Sequence, residues 1–288
     1  MARPVTTGSR KYTVTMSLSP GSTLSGAEPT VLVVAAVLAY VLAALPLHKA
    51  PRLSSAALLL GWVAHLALLI FDISGWGQNL PGTRLGFAPV LSATVWLLLA
   101  VHAVESRFVP LPAVRIGLAS AGALAVIVAA IYPGEVRQFS TSLGPLHFVL
   151  GVASYGLFGA AVLHALMLDA AERRLKRHKG VAGAQAAFGM PLLQLERLTF
   201  RFVQAGFVML TATLLLGLLA PQGWRWDHKS IFSLLAWSVI AALLVGRHWR
   251  GWRGRYAMRW LYVGALLLLL AYVGSRFVLE VLLARPRP

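Results

Sequence analysis

The chain has 288 residues, of which 58% are hydrophobic and only 12% charged, and its mean hydropathy is +0.73. Soluble domains carry about 25% charged residues, so this composition excludes an ordinary soluble fold. The net charge of +17 invites a nucleic-acid reading, but most Lys and Arg fall in short connectors between apolar runs, where topology determinants lie. Cysteine is absent, which excludes disulfides, thiolate metal sites and thiol redox chemistry of the protein's own.

Residues 1–28 are polar and rich in Ser, Thr and Gly, with no apolar h-region. They read as a disordered tail rather than a cleavable signal peptide, with translation starting at Met1 or at Met16. Eight apolar runs follow, at roughly 30–47, 53–71, 87–105, 112–132, 147–170, 201–220, 229–246 and 259–283. About 20 apolar residues cross a ~30 Å hydrocarbon core, and runs this long without alternation are helices rather than barrel strands. The expectation is an all-α, polytopic integral membrane protein with eight transmembrane helices. A single transmembrane domain spans 29–283, and 284–288 form a short tail.

The connectors alternate in charge. Those after the first, third, fifth and seventh runs hold 16 of the 26 Lys and Arg, whereas those after the second, fourth and sixth hold Arg84, Arg137, Arg225 and Lys229. The positive-inside rule then places both termini in the periplasm of a bacterial inner membrane. In the long inner connector, "LLQLERLTFRF" has apolar residues at helical spacing, which predicts an amphipathic helix over 190–200 lying flat on the inner face. The arginine-rich stretch 247–259 reads either as a topology anchor or as a contact for anionic lipid head groups.

No run has a charge at its centre, and Asp72, Asp169, Arg201 and Arg276 lie toward the ends. That argues against an ion-coupled transporter, which uses carboxylates in mid-membrane. Sequence motifs of hydrolases and P-loop enzymes are also absent. The histidines remain. His48, His178 and His248 fall in basic inner connectors, His102 near the inner end of its span, and His65 two turns before Asp72 on the same helical face. His164 lies about 25 Å along its helix from His147, too far to share a site with it.

His147 and His228 stand at the outer membrane boundary, where a neutral imidazole can meet both water and an apolar ligand. Around His228 runs "WRWDHK", residues 224–229. Trp224 and Trp226 form either an interfacial aromatic anchor or a flat surface for a planar amphipathic cofactor such as haem. Asp227 either caps the following helix or orients an imidazole from behind.

The stretch from Gly223 to Val278 resembles the C-terminal half of the cytochrome c assembly membrane-protein family. The match lies in W-x-W-D followed by Lys, "AW" at 236–237, G-W-R-G at 251–254 and a late glycine at 274. Upstream, "LHFVLGVASYGLFGAAVLHALML" resembles the family's span with a histidine seven residues before Ser-Tyr. The resemblance covers roughly residues 60–283 and is closest to the smaller HemX-like/YpjD-like branch. It implies a haem-handling protein of the inner membrane that assists cytochrome c assembly, a carrier or assembly factor rather than a stand-alone catalyst. Its partners would be the lipid bilayer, haem and cytochrome c assembly proteins. The alternative is a regulatory or scaffold protein that keeps the fold without ligating haem.

By the same resemblance Trp224, Trp226 and Asp227 match the family's tryptophan-rich haem segment, and His147 one of its external histidines. Three features depart from the family. His228 replaces the proline after the aspartate, the tail after the last span has no histidine, and the family's intramembrane histidine would fall near Val245. His147 is therefore the leading iron-ligand candidate and His228 the reserve.

Overall fold

The computed structural model describes residues 27–46, 50–74, 82–106, 112–139, 141, 143–177, 192–219 and 226–282. Residues 1–26 of the expected N-terminal tail, the C-terminal tail and Trp224 lie outside these residues, while Ala27 and Glu28, expected at the end of the tail, begin the first helix. Among the described residues eight helices follow in order: α1 (Ala27–Ala44), α2 (Pro51–Ser74), α3 (Phe87–Glu105), α4 (Pro112–Ile131), α5 (Gly144–Arg177), α6 (Leu192–Leu218), α7 (His228–Arg250) and α8 (Gly254–Leu282). Seven are long and apolar enough to cross a bilayer. The eighth, α1, has a shorter apolar stretch, Pro29–Ala44, and packs against α2 and α4. The chain is a multi-pass, all-α membrane protein.

Two buried clusters organise the bundle. In the first half, α1 to α4 close around Tyr40, whose ring is fully buried and faces Gly61 and Gly122 at distances no larger side chain would allow. Tyr40 donates to or accepts from His65 Nδ1 at 3.1 Å, and His65 Nε2 meets Ser92 Oγ at 2.7 Å. His65 is thus a packed histidine whose two nitrogens are both satisfied. In the second half, Phe158, Leu195, Val203, Ile240, Leu243 and Leu261 form the core between α5, α6, α7 and α8.

The halves meet along α3 and α5. A Cβ added at Gly156 would stand 2.9 Å from Leu97, and one at Gly159 would stand 2.5 Å from Leu98. Small residues let helices approach closely where lipid offers no hydrophobic drive toward association.

At one end of the bundle a short antiparallel pair, β1 (Thr83–Leu85) with β2 (Glu135–Arg137), joins the α2–α3 and α4–α5 connections. Gly134 has φ +75°, and a Cβ there would lie 2.7 Å from the Leu85 carbonyl oxygen, so the turn into β2 requires glycine.

The predicted flat helix at the inner face is not a separate element. Residues 192–200 continue without interruption into α6, a single helix of 27 residues. Leu195 is buried in the core, and the charge of Glu196 is met by Arg247 of α7 at 2.8 Å. That ion pair removes the reason to lay the segment on the surface.

The last helix is also irregular. Within α8, Leu270–Gly274 and Val278–Leu282 are π-helical and flank the α-helical turn Ser275–Phe277. Such turns are rare and often occur at functional sites.

Candidate functional site: a cationic cavity beside His147

His147 lies in the first turn of α5, where its backbone amide donates to the Leu143 carbonyl at 2.9 Å. Its ring is half-buried and leans toward α6, with its Cε1 3.5 Å from where a Cβ on Gly217 would stand. Its polar neighbours are the Thr213 backbone and the Lys229 ammonium. Asp227 immediately precedes α7, with extended backbone (φ −101°, ψ 169°), and accepts from the Ser230 amide at 2.8 Å. This is the N-cap, one of the two roles expected of it. Satisfying an otherwise orphan amide in this way is worth about 1 kcal/mol.

His147 and Asp227 border the same cavity, of about 740 Å³. One wall comes from α5, including His147, Gly151 and Tyr155; α6 adds Thr213 and Gly217; α7 adds Lys229, Ser230 and Ser233. The fourth wall is α8 where it turns π-helical, with Leu268, Tyr272 and Arg276, and Arg137 of β2 stands at the rim.

The cations are held in place. Lys229 Nζ lies 5.3 Å from the centre of the Tyr272 ring, and the Arg276 guanidinium lies 5.7 Å from the same ring. Arg276 also approaches Glu280 at 3.7 Å. The Tyr155 hydroxyl donates to the Leu268 carbonyl, tying α5 to α8 at the floor of the cavity. The result is an apolar-walled cavity on which one imidazole, the Asp227 carboxylate and three basic side chains converge, with Arg137 also paired to Glu135 at 3.0 Å.

The remaining candidates lie elsewhere. His228 begins α7, is exposed and does not line the cavity, although its neighbours Asp227 and Lys229 do. Trp226 is 75% exposed and also stands off the cavity wall. His164 sits further along α5, its Nδ1 donating to the Ala160 carbonyl at 2.7 Å and its Nε2 3.1 Å from Glu105. A second cavity, about 250 Å³, lies beside His65, Asp72, Arg84 and Ser92 in the first half of the bundle. Among the described residues no cluster of three or more metal-ligating side chains occurs.

Sequence reasoning missed Arg137, Tyr272 and Arg276 as site residues. Arg137 was visible as one of the few cations in the outer connectors. Tyr155 lay inside the Ser-Tyr match without a role attached to it.

The Cytochrome C assembly protein family model matches residues 50–283, and the chain belongs to that family. It is 34% identical over 160 residues to the Inner membrane protein YpjD of Escherichia coli strain K12, covering 54% of this chain and 60% of that protein. It is 30% identical over 235 residues to an uncharacterized 28.8 kDa protein of Azospirillum brasilense, covering 79% and 85% respectively. To the Cytochrome c biogenesis protein CcsA of Prochlorococcus marinus it is 28% identical over 153 residues, covering 51% and 47%. The chain thus spans about 60% of the YpjD length and about half of CcsA. No solved structure matches. With its bilayer-length helices and its likeness to YpjD, this is a multi-pass inner-membrane protein.

Proposed function

We propose that this protein handles haem for cytochrome c assembly, holding the tetrapyrrole in the cavity beside His147 at the periplasmic end of the bundle. The observation that carries the reading is the convergence of a half-buried imidazole and three cations on one apolar-walled space. At about 740 Å³ the cavity falls within the usual size range for cofactor sites, roughly 300–1,000 Å³. The donor set suits the group. Imidazole is a common haem-iron ligand, and Arg137, Lys229 and Arg276 match the charge of two carboxylates.

Haem would supply an iron centre and a planar apolar face. The chain's own part is to bind and orient: His147 offers a ring nitrogen, Tyr272 holds Lys229 and Arg276 in position, and Asp227 fixes the start of α7. We assign no catalytic step to these residues. Formation of a thioether would draw on thiols of another protein, since this chain has none.

His228, exposed and off the wall, becomes the weaker ligand candidate, and Trp226 belongs to the outer rim. The same placement favours a second reading, in which the protein keeps the family fold as a scaffold without ligating haem.

An absorption spectrum of the purified protein separates the two readings. The haem reading expects a Soret band that His147→Ala removes or shifts, while His228→Ala and His164→Ala leave it in place. A correctly folded wild type that takes up no haem supports the scaffold reading instead.

A further inference from the structure

The end of the bundle opposite the cavity has a different chemistry. Glu172 pairs with Arg255 at 3.5 Å and Glu196 with Arg247 at 2.8 Å. Asp169 accepts from the Tyr262 hydroxyl at 2.9 Å, and Glu105 meets His164 at 3.1 Å. Each carboxylate described at this end is therefore engaged by a neighbouring helix. Arg197, Arg201, Arg250, Arg253 and Arg259 remain exposed around them.

Three of these arginines rise from or beside one fixed turn. Gly251, with φ +65°, ends α7, and the Trp252 amide donates back to the Gly246 carbonyl at 3.3 Å. Gly254, with φ +59°, then starts α8. The Trp252 ring packs so closely on Gly246 that a Cβ there would lie 2.4 Å from it. Trp252, Tyr256 and Trp260 form a triangle of rings with centroids 4.8 to 6.5 Å apart, and Trp249 beside them is 80% exposed.

We propose that the α7–α8 turn is a binding site for anionic phospholipid, with Arg250, Arg253 and Arg259 engaging the phosphodiester and the exposed rings of Trp249 and Tyr256 bearing on the upper acyl region, while Trp252 and Trp260 pack against the core and hold the turn. Both helices are bilayer-length, so their shared end stands at head-group depth. Indoles prefer that depth, and guanidinium forks match two phosphate oxygens. The positive-inside rule assigns this end to the cytoplasmic leaflet, where anionic lipid carries a negative surface potential. The proposal is independent of haem binding at the other end.

The test measures lipid retained by the whole protein, by native mass spectrometry, from mixed phosphatidylcholine–phosphatidylglycerol micelles. Wild type is expected to retain phosphatidylglycerol in preference to phosphatidylcholine. Retention should weaken about fivefold for each arginine changed to glutamine in R250Q, R253Q and R259Q combinations. R52Q, at the same end but in the other half of the bundle, should retain the lipid. Equal retention by wild type and the triple variant, or an equal loss in R52Q, overturns the site. Complete displacement by inorganic phosphate points to a soluble anion and overturns it as well. If the triple variant melts early in phosphatidylcholine alone, single R253Q carries the comparison.

Discussion

Tyr155 and Leu268 bind α5 to α8: the phenol hydroxyl of one donates to the backbone carbonyl of the other, just before α8 becomes π-helical. The bond therefore fixes the wall that carries Tyr272 and Arg276 relative to the wall that carries His147. Tyr155→Phe keeps the ring and its packing and removes only this donor. We expect a loss of about 1 kcal/mol in stability, read by thermal unfolding in detergent. On the haem reading, uptake should weaken alongside it, and an unchanged melting curve would show that the bond contributes nothing.

Asp227 gives a sharper separation of roles. As an N-cap, Asp227→Ala should cost about 1 kcal/mol, whereas Asp227→Asn, an equally good cap, should be close to neutral. Thermal denaturation of the two variants decides this. A large loss in the asparagine variant would mean that the negative charge, rather than the cap, is what matters.

Two glycines should respond to alanine with opposite signs. At Gly264 a Cβ would meet Ile240 at 2.4 Å, so Gly264→Ala forces α7 and α8 apart and should cost about 1–3 kcal/mol. At Gly117 nothing lies within 4 Å of the added atom, and the position is inside α4. Gly117→Ala should stabilise by up to about 1 kcal/mol through helix propensity. Paired unfolding curves check both signs.

Trp62 and Trp96 exchange bonds between α2 and α3. Each indole donates to the other's backbone carbonyl, at 3.3 and 3.1 Å, and the rings stack 4.7 Å apart. Replacing either by Phe should cost about 1–2 kcal/mol. A double-mutant cycle should return a coupling energy well above zero, and strict additivity would refute a mutual contact.

Topology is open to a direct check. The basic excess after alternate spans predicts cytoplasmic reporter activity from a fusion at residue 180 and none from a C-terminal fusion. Cytoplasmic activity at the C-terminus would reverse the assignment.

What was legible in the sequence is what depends on local composition. The spans appear as apolar runs, and His147 is marked by its place at the mouth of one of them. The cavity is tertiary: Arg137, Lys229 and Arg276 come from three separate stretches and converge only through folding. The paired strands have three residues each, too few to show an alternating pattern. The error at α6 has a physical cause. The apolar spacing of "LLQLERLTFRF" suits a surface helix, but Arg247 neutralises Glu196 and lies with its guanidinium 3.5 Å from the centre of the Phe200 ring. A charge that finds its partner on another helix leaves no trace of that partner in its own segment.

The π-helical stretch Leu270–Gly274 holds one residue more than regular winding would place there, which gives the last part of α8 slack in its residue count. In an α-helix each residue advances the side chains by about 100°, so one residue more or fewer reorients everything beyond it. Deleting Ala271 is expected to let this turn recover regular winding and to leave Arg276 on the cavity wall, whereas the same deletion in the regular turns before it would rotate Arg276 away. What the cavity wall registers is where along α8 a residue is lost, and not the length of the helix alone.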